Sequence, residues 1–426
     1  MKKIFIYSLL LVSQLLAQPD FRINRDLIQS GAFFNSELHY FPSADGYCVY
    51  YTYKISYSQL YFEKDDDNFV SGLSVNIEIR DSLDNVVTRA FDEKNISVKD
   101  FDLTNSKTTN LQGLININLQ EGKYKLLSII SDKISKRERK IPPIDLIISN
   151  SEKLLNPIML EPNEEICDND EKYVLVNNSS SIPFNKPNDI LAIPVTDSTI
   201  KSLTINVTRG DTTFISNQLN SDSFALSSRL EICNDKIIIQ KSEDKTFLKC
   251  FLFSEFPAKL SEGPVRIEAI PDNELNKKKV FSFDVIWIGK PISLKDPEEA
   301  IKLISIVESK DKVKELLSSD DDQKALYSYW QKLDPTPKTN YNELMDEFYQ
   351  RVDYCEITFK SIDGKGGANS DRGNIYIKYG APDYIERNTT NDDKVIESWF
   401  YNNPVRSFVF VDNDGTGKYL LVSEKW

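Results

Sequence analysis

The chain has 426 residues with 52 Lys and Arg against 65 Asp and Glu, a formal charge of −13. That balance excludes the concentrated basic surface that binding to phosphate backbones demands. Apolar residues make up 40% of the chain, too many for a disordered polymer, and the length points to roughly two to four domains.

Met1-Lys2-Lys3, the apolar run Ile4 to Leu16 and the small residue Ala17 read as a secretory signal peptide over residues 1–17. The run is too short for a membrane span, which needs about 20 residues, and no later stretch resembles one. The mature protein is therefore expected to be exported, to the periplasm or beyond the cell.

Residues 18–150 alternate apolar and polar side chains with a period of two. Tyr51, Tyr53, Ile55 and Tyr57 do so, then Leu73, Val75, Ile77 and Ile79, then Ile115, Ile117 and Leu119. Polar turns at Asp84-Asn85 and Glu121-Gly122 separate them, so the segment reads as an antiparallel β-sandwich of immunoglobulin-like type. Tyrosine crowds one part of it, at Tyr47, Tyr50, Tyr51, Tyr53, Tyr57 and Tyr61. Tyr51 and Tyr53 are candidates for a glycan- or protein-binding face, because tyrosine joins an apolar body to a polar tip. Dense packing between strands is the plainer alternative.

A polar stretch from Asn163 to Asp170 marks a linker, and the β pattern restarts after it, so residues 151–290 read as a second sandwich. Cys233 and Cys250 flank an expected hairpin of Ile237–Ile239 with Phe247–Phe253; a disulfide across it is one reading, and two buried thiols are the plainer one. No spacing of the five cysteines suits a metal.

At Pro291 the character changes, and residues 291–426 read as a small α+β domain. Asp296-Pro297-Glu298-Glu299 is a helix start with an aspartate cap and proline at the first helical position. A second helix carries Ala325, Leu326, Tyr329 and Trp330. A third begins near Asn340 and lines up Leu344, Phe348, Val352, Cys355 and Phe359. Short strands are then expected at Ile375–Tyr379, Glu397–Tyr401, Phe408–Val411 and Tyr419–Val422. The fold class is thus mainly β, two sandwiches followed by an α+β domain.

Catalytic chemistry finds little purchase. The one histidine, His39, cannot supply a two-histidine metal motif. The glycine-rich Gly364–Gly367 follows a helix instead of opening one after a strand, so it is no phosphate loop, and no cofactor is implied. Asp412-Asn413-Asp414-Gly415 resembles the start of a calcium loop, but Glu424 falls one place beyond the twelfth position, and a hairpin turn fits better.

The ordered series Trp330, Asp334-Pro335-Thr336-Pro337, Asn342-Glu343, Phe348–Val352 and Asp371-Arg372-Gly373-Asn374-Ile375-Tyr376-Ile377-Lys378-Tyr379-Gly380-Ala381-Pro382-Asp383 resembles the GWxTD domain, which occurs in exported proteins of Bacteroidetes-like bacteria. Its name-giving pentapeptide falls on Gly367-Ala368-Asn369-Ser370-Asp371, with Ala368 for tryptophan and Ser370 for threonine. The resemblance implies an envelope address and makes Trp330, Gly367, Ser370, Asp371, Arg372, Gly380, Pro382 and Asp383 the motif residues to watch. From the residues alone, Asp371 reads as an Asx-turn acceptor at a strand entrance, with Arg372 pairing to Asp371 or Asp383. The expected function is a non-enzymatic binding or scaffold protein whose partner is an envelope protein or surface polysaccharide. The alternative is a secreted glycan hydrolase using two carboxylates.

Overall fold

The computed structural model describes residues 34–425 except 107, 164–171, 177, 180, 221–223, 242–246, 255, 275–276, 363, 365 and 391–393. The expected signal peptide and most of the polar linker lie outside these residues. The protein is mainly β with several antiparallel sheets and divides between Gly289 and Lys290 into two compact units.

The first unit begins with two layers. One is the sheet β1 (Asn35–Ser43), β2 (Gly46–Ser56) and β6 (Asn110–Leu119). The other contains β3 (Glu63–Asp65), β4 (Asn68–Asp81), β5 (Val86–Val98), β7 (Gly122–Asp132) and β8 (Glu138–Ile148), with the short helix α1 (Phe101–Thr104) after β5. Alternation decides which faces meet. Val75, Ile77 and Ile79 of β4 are buried and lie opposite Ile130, Ser128 and Leu126 of β7.

Tyr51 and Tyr53 point into this interior and are fully buried, so they form no exposed binding face. Tyr51 donates its hydroxyl to Ser128 Oγ at 3.1 Å and Tyr53 to Asp92 Oδ2 at 2.7 Å, which satisfies the two polar tips in the interior. The Tyr53 ring lies flat over Gly113, its partner on β6, where a Cβ would come within 2.0 Å of the ring.

Further along, six strands close into a barrel in the order β10 (Lys172–Leu175), β16 (Lys236–Lys241), β15 (Phe224–Cys233), β17 (Phe247–Phe253), β12 (Ile190–Val195) and β9 (Ile158–Asn163). Where two facing sheets are expected, the remaining strands form a separate sheet, in the order β11 (Ser181–Pro183), β19 (Lys279–Ile286), β18 (Gly263–Pro271), β13 (Ser202–Arg209) and β14 (Thr212–Asn220). One hydrophobic cluster runs from Val49, Tyr51 and Ile77 of the first layers into Leu160, Leu175, Leu230 and Ile239 of the barrel.

The expected strand Ile237–Ile239 is one arm of a hairpin that turns at Asn234 and Asp235, both at positive φ as a primed two-residue turn requires. Its other arm is β15, not β17. That corrects the cysteine pairing. Cys250 lies opposite Phe224, nine residues along β15 from Cys233, roughly 30 Å at strand rise. A disulfide needs Cα atoms within about 7 Å. Cys250 is a free buried thiol, as are Cys355 and the half-buried Cys48, whereas Cys233 is disulfide-bonded to a residue other than Cys250. Burial pushes the Cys355 thiol up to about 12, so it behaves as an apolar side chain.

The second unit opens with α2 (Pro297–Leu303), capped as expected by Asp296, whose carboxylate accepts from Glu298 N and Glu299 N. Then come α3 (Lys310–Leu317), α4 (Asp322–Gln331) and α5 (Glu343–Thr358). The sequence reading passes over α3. Asn342 ties two helices together: its Oδ1 caps α5 at Met345 N, and its Nδ2 donates to Trp330 O on α4. Trp330 is buried against Phe348 and Tyr349, and Tyr349 donates its hydroxyl to Ala300 O. Asp371–Tyr379, expected in part as a strand, is the helix α6; after it β20 (Tyr384–Thr389), β21 (Val395–Asn402), β22 (Val405–Asp412) and β23 (Tyr419–Lys425) form a meander.

The replacement Gly113→Ala is expected to force the Tyr53 ring off its seat and break its bond to Asp92, costing roughly 1–3 kcal/mol as overpacked cores do. Urea unfolding followed by tyrosine fluorescence measures it; an unchanged midpoint would show that the ring has room to move.

Candidate functional site

The motif residues gather around α6. The chain leaves α5 at Phe359, turns through a short 3-10 segment at Gly367–Asn369 and enters α6 at Ser370. Gly367 takes φ +56°, and a Cβ there would lie 2.5 Å from the Glu356 carboxylate, which accepts Ala368 N at 2.9 Å. Ser370 is the helix cap: its Oγ accepts Gly373 N at 2.9 Å and donates to Gly367 O at 2.7 Å. Serine serves here as threonine would, because the cap needs only the hydroxyl.

Asp371, at the first helical position, makes no Asx turn. Its Oδ2 accepts the backbone N–H of Leu421 at 2.7 Å and so fastens the helix start to β23, an edge of the meander. At the other end Gly380 N closes the helix on Tyr376 O, and Gly380 O accepts the Tyr401 hydroxyl at 3.0 Å. Pro382 prevents further helix, and Asp383 accepts Asn402 N at 2.7 Å, which sets the start of β20 against the end of β21.

Arg372 pairs with neither aspartate. It is buried, with Nη1 3.5 Å from Glu397 Oε1 and Nη2 3.4 Å from Gly417 O. Its guanidinium carbon lies 3.8 Å from the Tyr419 ring centre and 4.9 Å from that of Phe359. Glu397 is 1% exposed and filled on both oxygens: Oε1 also accepts Trp399 Nε1 at 2.7 Å, and Oε2 accepts Arg387 Nε at 2.8 Å. Below it Asp412 accepts Gly417 N at 2.9 Å and ends β22, and the following loop carries the chain into β23 as the expected hairpin turn.

Sequence reasoning thus brought together Gly367, Ser370, Asp371, Arg372, Gly380, Pro382 and Asp383, which do surround one helix. Trp330 sits apart in the helical core, and Tyr51 and Tyr53 lie in the other unit. It missed Glu397, Arg387 and Tyr419. The signal for Glu397 was there: Glu397, Trp399 and Tyr401 occupy alternate positions on β21, so an acid is placed on the inward face beside two large aromatics. An acid in that position requires a cation.

Chemically the arrangement fastens parts together. Its carboxylates are engaged by guanidinium, indole or backbone N–H groups, and those of Glu397 and Asp412 are turned away from solvent. A cleft of about 400 Å³ opens elsewhere, in the first unit, beside Thr208, Arg266, Ser282 and Asp284. Among the described residues lining it, Asp284 is the one carboxylate, whereas glycoside hydrolysis by the usual route uses two. No helix of the described residues is long and apolar enough to cross a membrane.

Residues 274–425 match the family model of the GWxTD domain, the family that the order of motifs suggested. The match begins ahead of β19, so it takes in the last strand of the first unit as well as the whole meander. No curated protein matches the chain. Where the family name has tryptophan, Ala368 is fully buried, and the corner closes without a large side chain.

Two stability measurements follow from this geometry. Arg372→Met leaves a buried carboxylate short of a cation and is expected to cost about 3 kcal/mol, against about 1 kcal/mol or less for the mostly exposed Arg387→Ala. Equal effects in denaturant unfolding would contradict the ranking. Restoring the family's residue, Ala368→Trp, is expected to destabilise by roughly 1–3 kcal/mol, since the site has no open volume; a gain in stability would mean that the corner still accommodates the indole.

Proposed function

We propose that this is an exported, non-enzymatic binding or scaffold protein of the bacterial cell envelope, and that its partner is another envelope protein. The observation that carries this reading is the outward face of the meander. Trp399, Tyr401, Phe408 and Phe410 fill the inner face, yet Phe400, Leu420 and Val422 stand exposed on the outer one, with the Tyr384 ring tilted against Phe400 at 5.8 Å. Exposed apolar residues on one face of a rigid sheet are consistent with a protein-binding surface. The motif residues supply that rigidity from below.

The address rests on residues 1–17, whose basic start and short apolar run have the form of an export signal. The mature chain's acidic balance is compatible with a soluble envelope component. In the first unit, the two facing layers β1-β2-β6 and β3–β5 with β7 and β8 support an immunoglobulin-like sandwich.

Affinity capture of the tagged, signal-processed protein from native envelope extract tests the proposal. The expected result is one reproducible partner recovered by wild type and reduced tenfold or more by Phe400→Asp, with Gly113→Ala retaining it. Recovery unaffected by Phe400→Asp would remove the meander face from the proposal. Recovery of the protein alone would argue against a scaffold.

A further inference from the structure

Most ion pairs of the first unit sit at its surface, but one charged cluster is enclosed where the β1–β2 hairpin meets the barrel. Asp189, immediately before β12, is 2% exposed, and its Oδ2 has no hydrogen-bond partner among the described residues. Lys54 of β2 directs its ammonium away from solvent, donating to Val176 O at 2.7 Å and to Asn178 Oδ1. The segment that receives it follows β10 directly. The same segment is tied to β1 by Ser179, whose Oγ accepts Ser36 N and donates to Asn35 Oδ1, each at 3.2 Å.

The charged groups facing the pair come from every neighbouring element. Glu37 on β1 lies there with His39 Nε2 3.1 Å from its carboxylate; Glu161 on β9 pairs with Lys186 of the β11–β12 loop at 3.3 Å. Two cations, Lys54 and Lys186, therefore confront three acids, Glu37, Glu161 and Asp189.

We infer that Lys54 and Asp189 form a proton-sensitive latch that sets how firmly the β1–β2 hairpin is held on the barrel. Burial pushes the Asp189 carboxyl up to about 7; Glu161 adds to the rise, and Lys186 and Lys54 oppose it. Burial pulls the Lys54 ammonium down to about 8, against Glu37, Glu161 and Asp189, with Lys186 lowering it further. Both groups thus change charge near neutrality.

The signs of the two contributions differ. Asp189 favours the folded state most below its ordinary value of 3.8, and this is lost as pH rises through about 7. Lys54 favours it most above its ordinary value of 10.5, and this is lost as pH falls through about 8. The pair therefore contributes least between about pH 7 and 8. Below that window the neutral acid leaves Lys54 as a single buried cation, matched by Glu37 and Glu161, and its charge-assisted bonds to Val176 and Asn178 hold the hairpin. Above it, Lys54 sheds its proton, the cost of burying that charge is lifted, and the folded state gains again as pH rises.

The test compares the whole signal-processed protein with Asp189→Asn by urea unfolding from pH 5 to pH 8. The variant is expected to gain on the wild type as pH rises, with the ratio of their folding equilibria changing roughly tenfold or more across the range. A ratio independent of pH would overturn the latch. If the variant does not fold, the carboxyl carbon shift of Asp189 in the wild type decides by NMR: a midpoint in the neutral range supports the inference, and one below pH 5 overturns it.

Discussion

A carboxylate shut away from water has to be matched, and in the C-terminal unit the requirement at Glu397 organises what surrounds it. Three partners reach it from three elements: Arg372 from α6, Arg387 from β20 and Trp399 from β21 itself. Arg372 would find no equivalent partner if the helix slid along the sheet. Buried ionic contacts are weak sources of net stability, but they can discriminate between registers, and here the register is that of one helix on one meander. Ser370 and Asp371 complete the constraint, one starting the helix and the other fastening that start to β23.

The first unit is organised differently. Its cohesion comes from apolar area shared across layers, since one hydrophobic cluster extends from the opening sheets into the barrel. Polar groups admitted to that interior are mostly paired, as with the hydroxyls of Tyr51 and Tyr53. The charges at Lys54 and Asp189 are the contrast, because Asp189 is buried with an oxygen that has no hydrogen-bond partner among the described residues. A polar joint inside an apolar body marks a place where the chain gives up stability for sensitivity to its surroundings.

Much of this architecture was legible in the residues, and the failures share a cause. The helix start at Asp296 was readable because a cap is a local device, complete within four residues, whereas α5 was placed from near Asn340 and is capped by Asn342. Strands β4, β6 and β7 were readable from alternation. Asp371–Tyr379 was misread because Ile375, Ile377 and Tyr379 also alternate, and the decisive signals, a serine cap at one end and glycine at the other, lie outside that run. The cysteine pairing failed because neighbours in sequence were taken as neighbours in the sheet, while β15 stands between β16 and β17. The tyrosine cluster left a binding face and dense packing both open, because sequence does not say which face of a strand is covered; Tyr51 and Tyr53 have the packing. Glu397 could have been noticed, but its partners are 25 and 10 residues away and became visible only with the sheet assembled.

The path of the chain through the barrel carries a kinetic meaning. After β12 the chain leaves the barrel to make β13 and β14 of the neighbouring sheet, returns for β15 to β17, then leaves again for β18 and β19. Neither layer is a continuous segment, and the sheet is completed only after the last barrel strand, by β18 and β19. Such interleaving raises the mean separation of contacting residues and slows folding. It also means that a growing chain holds unpaired strand edges until β19 has emerged. Under the export reading proposed above, that delay would keep the chain unfolded long enough to be threaded out of the cell.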